Sequence, residues 1–137
     1  MQDNVRPLRV ADSEKLTINL GYVDLGRIDL LVQEGFYSNR SDFIRAAIRA
    51  QLGTHAAEVA RTVERHMLEF GLQEFSVADL EAARAAGEML HVKVVGLARI
   101  APEVTPELAR ATIASLTVLG ALQASPAVKA ALADRIG

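Results

Sequence analysis

KLTINLGYVDLGRIDLLVQEGFYSNRSDFIRAAIRAQL, residues 15–52, decides the fold of the first part of the chain. Its first six residues alternate strictly, with Lys15, Thr17 and Asn19 on one side and Leu16, Ile18 and Leu20 on the other, the period of a strand with one wet face. After Gly21 the period lengthens to that of a helix carrying Leu25, Ile28, Leu31 and Val32 on one face, and Gly35 stands where a left-handed residue ends it. A second helix is expected to start near Ser38, whose hydroxyl can cap it, with Phe43, Ile44, Ala47, Ile48 and Leu52 along one stripe. One strand followed by two helices is incomplete, because a lone strand exposes a row of N–H and C=O groups and an apolar side with nothing opposite. The simplest completion is a second copy, its strand antiparallel to the first across a twofold axis.

The strand KLTINL, the turn Gly35-Phe36-Tyr37-Ser38-Asn39-Arg40-Ser41 and the run Phe43-Ile44-Arg45-x-Ala47-Ile48 come in the order and separation that resemble the ribbon-helix-helix DNA-binding proteins of the MetJ, Arc and CopG type. The resemblance covers residues 15–52 and departs from the family at Gly21-Tyr22-Val23, where a polar or proline-containing helix start is commoner. It implies a homodimer whose paired strands enter the major groove of double-stranded DNA, with Lys15, Thr17 and Asn19 reading base edges. Their chemistry suits that role: Asn pairs with adenine, Lys donates to guanine O6 and N7, and Thr meets a thymine methyl. The N–H groups around Ser38, Asn39 and Arg40, at a helix start, are expected to hold a phosphate, with a carboxylate partner for Arg40 as the alternative.

Working outward, residues 1–14 mix Asn, Pro, Asp and Ser without period and read as a flexible arm, with Arg6 and Arg9 as candidate DNA contacts. The formal net charge of −2 is not that of an overtly basic DNA binder, and residues 1–52 carry as many acidic as basic side chains. Attraction to DNA must then come from where the cations are placed. Half the residues are apolar and aromatics are few, so a core of Ala, Val, Leu and Ile is expected. There is no cysteine, which excludes disulfides and thiolate metal sites. No apolar run is long enough to span a membrane and no signal segment is evident, pointing to a cytoplasmic, nucleoid-associated protein.

Residues 54–137 resemble no family by their motifs and are expected to form a small α/β module, making the whole chain mixed α+β in three parts: an arm at 1–14, the ribbon-helix-helix unit at 15–53 and the module at 54–137. Gly53-Thr54 reads as a break, followed by an amphipathic helix over residues 55–68 whose apolar face, Val59, Val63 and Met67, extends to Phe70. Ser76-x-x-Asp79 is a capping pair for a helix that stops at Gly87. Residues 94–104 can be laid on residues 118–128, with Gly96 and Pro102 returning as Gly120 and Pro126, and a fainter copy starts at Phe70-Gly71-Leu72. Residues 91–97 and 116–122 are expected to be neighbouring parallel strands joined by a helix over 106–114, with a last helix over 127–135. Two clear repeats are too few to bury both ends of a sheet, so one of these strands is expected to present an open edge that joins dimers into a higher oligomer.

His55, His66 and His91 lack the spacing of a metal site, and no phosphate loop or nucleophile constellation appears, so neither a cofactor nor an enzyme is expected. A sequence-specific transcriptional regulator, a repressor in the first instance, is the leading function. The alternatives are the antitoxin of a toxin–antitoxin pair, with residues 54–137 covering the toxin, and a plasmid copy-control or relaxase-accessory protein. Antitoxin tails are short, polar and ordered on binding, unlike residues 54–137.

Overall fold

The computed structural model describes residues 13–137, so the arm residues Arg6 and Arg9 lie outside the described residues. It divides into two compact units, Ser13–Thr62 and Val63–Gly137. The division falls after Thr62 because helical structure runs on past the expected break at Gly53-Thr54, with His55 alone separating two helices.

The first unit holds α1 (Tyr22–Gln33), α2 (Arg40–Thr54) and most of α3 (Ala56–Arg65). α1 ends at Gly35, whose φ of 87° is the left-handed conformation expected there. Residues 13–21 form no helix or ladder within the single chain. Ile28 is the one buried residue of this unit, and Tyr22, Leu30, Phe36, Ala47, Ile48 and Leu52 are exposed. The later part of the stripe expected on α2, Ala47, Ile48 and Leu52, thus has little to pack against within one chain.

The second unit is a three-stranded parallel sheet in the order β1 (Glu69–Phe75), β2 (Leu90–Ile100), β3 (Ile113–Gln123). The connections carry α4 (Val77–Ala85) and α5 (Pro106–Thr112), and α6 (Pro126–Ala131) follows β3. Each helix opens on a hydroxyl cap: Ser76, in a capping box with Asp79, then Thr105 and Ser125, with Pro106 and Pro126 in the first turns of α5 and α6. Leu80, Leu108, Ala109, Val128 and Leu132 pack on Val92, Val94, Ala98, Ile113 and Leu116, so the helices cover one face of the sheet. Burying one such Leu or Ile stabilises by about 1.5–3 kcal/mol.

Several sequence expectations are corrected here. The faint copy is a full strand, giving three strands: Gly71 stands level with Gly96 and Gly96 with Gly120, spacings of 25 and 24 residues. The spacing is one residue longer from β1 to β2 than from β2 to β3, which blurs the repeat in the sequence. Phe70 belongs to β1 and is not an extension of the α3 face, since the helix ends at Arg65 and Met67 turns the chain with a positive φ. Residues 91–97 lie in the central strand, so the open edges belong to β1 and β3. The last helix is shorter than 127–135, stopping at Ala131 before a 3-10 turn at Ala133–Arg135. That turn is held by Asp134, whose carboxylate accepts from Arg110 at 2.8 Å and 3.2 Å.

Candidate nucleic-acid interface

Lys15, Thr17 and Asn19 are exposed, as is every residue from 13 to 24. Among them Leu16 is 79%, Ile18 63% and Leu20 40% exposed. Three large apolar side chains in water along a segment outside any ladder form a surface whose burial is favourable.

The start of α2 is built differently from the sequence reading. Ser38 is not the cap; Asn39 is, its Oδ1 accepting from the Asp42 N–H at 2.8 Å, because Asn39 is the last extended residue before the helix. Asp42 reaches back, its Oδ2 accepting from the Ser38 N–H at 3.1 Å. The Asn39-x-x-Asp42 pattern was visible in the sequence as a cap followed by an acid three positions on. Asn39→Ala should therefore cost about 1 kcal/mol of stability, whereas Ser38→Ala should be near neutral, as measured by urea unfolding of the full chain.

Arg40 sits beside this cap with its guanidinium on a carboxylate: Nε and Nη2 donate to the two oxygens of Asp29 on α1, at 2.7 Å and 2.8 Å. Those hydrogen bonds hold the Asp29 carboxyl below its ordinary range and raise Arg40. Because the Asp29 pKa is depressed on folding, the pair's contribution is present at neutral pH and is lost as acidification passes through that lowered value. The carboxylate alternative for Arg40 is the one seen, and the acceptor comes from its own chain. No local pattern announces a partner eleven positions away. Tyr37 and Phe43 complete the corner with an edge-to-face ring contact, centroids 5.0 Å apart.

Residues 13–21, outside any helix or ladder, are thus followed by two helices with a capped turn between them. A sequence profile described as the Ribbon-Helix-Helix transcriptional regulator family matches residues 11–129, most of the chain, and the protein belongs to that family. The match runs through β1, β2 and β3, so the α/β module, unrecognised by its motifs alone, is part of the family pattern. No curated protein and no solved structure matches the chain. Among the described residues no cluster of His, Asp and Glu could hold a metal ion, and no helix is long and apolar enough to cross a membrane.

Proposed function

We propose that the protein is a sequence-specific DNA-binding repressor that acts as a homodimer, with residues 15–20 of two copies pairing antiparallel and entering the major groove. The observation that carries this is the bare apolar row Leu16, Ile18 and Leu20 outside any ladder, in a unit with Ile28 alone buried. A second copy supplies both the missing ladder and the missing core. Lys15, Thr17 and Asn19 then face the bases from each strand, and Arg6 and Arg9 follow the backbone from the arm.

At the start of α2, the Ser38 and Asp42 N–H groups are already occupied, so a phosphate is met by the N–H groups of Asn39, Arg40 and Ser41. Arg40 contributes by holding α1 against α2 through Asp29 more than by direct contact. The α/β module, which has its own buried core, joins dimers into a higher oligomer along DNA and makes binding cooperative over adjacent sites. A self-contained core also favours this reading over a toxin-wrapping tail.

Folding and association of the N-terminal unit should be inseparable. Residues 1–62, diluted stepwise and followed by circular dichroism and light scattering, should lose helicity as they dissociate. A folded monomer that persists on dilution contradicts the dimer.

A further inference from the structure

The α/β module makes one strand junction twice. β1 meets β2 and β2 meets β3 in parallel, with glycine level with glycine at both junctions. The outer edges of β1 and β3 are accordingly the two halves of a third junction of the same kind, and among the described residues no named strand occupies either.

Open edges are commonly blunted, and here the C-terminus does so at a single point. Ile136 bridges Leu116, and the Gly137 N–H donates to the Leu116 carbonyl at 2.8 Å. That cover stops short of residues 118–122, the stretch that would face residues 69–73 of β1 if Gly120 stood level with another Gly71. β1 is the shorter strand, and among the described residues the part of β3 it would meet, residues 118–122, has no strand on its outer edge.

Two observations match a strand supplied from outside. On the face away from the helices the rungs are Phe70–Val95–Leu119 and Leu72–Leu97–Ala121. Val95 and Leu97, flanked on both sides, are half-buried, whereas Phe70, Leu72 and Leu119, each with one flank open, are 59%, 53% and 57% exposed. The second lies in the backbone. A Cβ at Gly96 would lie 2.3 Å from the Gly71 carbonyl oxygen, and one at Gly120 would lie 2.0 Å from that of Gly96. Gly71 keeps the same positive-φ backbone with nothing of its own chain within 4 Å of that position. The carbonyl of another Gly120 would stand there.

The geometry points to a head-to-tail stack in which β3 of one chain pairs in parallel with β1 of a second copy, Gly120 level with Gly71, so that the sheet continues from chain to chain. This rests on the reading that the module joins dimers, and adds the two surfaces and the direction of the contact. Such a contact is heterologous: it uses different edges on the two partners, so it propagates or closes as a ring, unlike a twofold pair.

The absence of cysteine makes the register directly testable. Leu72→Cys and Ala121→Cys, made separately in the full chain, lie on strands two apart within one molecule, roughly 9–10 Å, beyond disulfide reach. At the chain-to-chain junction they become neighbours at about 5 Å. Mild oxidation of the mixture should give a dimer linked 72–121, absent from either variant alone, and the double variant should give a ladder of bands beyond the dimer. Phe70→Cys with Leu119→Cys, one rung away, should behave alike and stands in if the first pair disturbs folding. Assemblies in sedimentation that link only 72–72 or 121–121 would overturn the stack while leaving module-driven assembly intact. Simple dimers with neither pair linked would overturn both.

Discussion

Gly96→Ala and Gly120→Ala should each unfold the α/β module under conditions where the parent chain is folded. Both glycines hold φ values, 140° and 123°, that alanine adopts only with strain of about 1–3 kcal/mol. The added methyl would also meet the carbonyl oxygen of the glycine level with it on the neighbouring strand, Gly71 at 2.3 Å or Gly96 at 2.0 Å. That atom is backbone within a ladder, so it can yield only by parting the strands on which Val94, Ala98 and Leu116 are buried. Strain and lost pairing together should exceed about 4 kcal/mol, a large part of the 5–15 kcal/mol that holds a typical domain folded. Gly71→Ala has the same kind of backbone and open space around it, so in dilute protein it should cost only the strain. Thermal unfolding by circular dichroism checks this, the loss of the module's transition being read separately from that of the N-terminal unit. Equal effects at all three glycines would contradict the close approach as the cause.

Asn19→Ala and Lys15→Ala should each weaken specific DNA binding by about 1–3 kcal/mol per base contact removed, roughly 5- to 150-fold, and flatten the preference between matched and mismatched duplexes. The expectation follows from placement. Both side chains are exposed, and in the proposed ladder they alternate with Leu16, Ile18 and Leu20, so they turn outward once those three are buried between two copies. Asn39→Ala acts on a helix start and should weaken binding to all duplexes alike. Titrations must share one salt concentration, since the backbone contribution alone shifts affinity by orders of magnitude with salt. Specificity unchanged by Asn19→Ala would assign base reading to another surface.

What could be read from the sequence follows the range of the interactions concerned. Period and caps are local, so α1, the Ser76–Asp79 capping box, the Thr105 cap and the parallel pairing of two repeats were legible, and each appears in the structure. The third strand was faint because one additional residue broke the period, and its exposed Phe70 also fits the apolar face of α3 continued past its end. The central place of β2 was not legible while β1 was uncertain, for an edge is defined only by counting every strand. The proposed base-reading set, residues 15, 17 and 19, rests on alternation alone. The cap was misplaced by one residue because Ser38 and Asn39 both have capping side chains, and only the backbone decides which is the last extended residue. Arg40 was ambiguous for another reason: its partner Asp29 lies on the preceding helix, and a pairing across a turn leaves no period to detect.

If two copies of residues 15–20 pair and read DNA, the chromosomal sites bound by the tagged full-length protein in the cell carry the imprint of that pairing. Mapped sites should share a recurrent sequence made of inverted half-sites at fixed spacing, the symmetry of a twofold dimer, which is lost when Asn19 and Lys15 are replaced together. Binding sites with no shared sequence, or a recurrent sequence that survives the double replacement, would contradict pairing and readout by these residues.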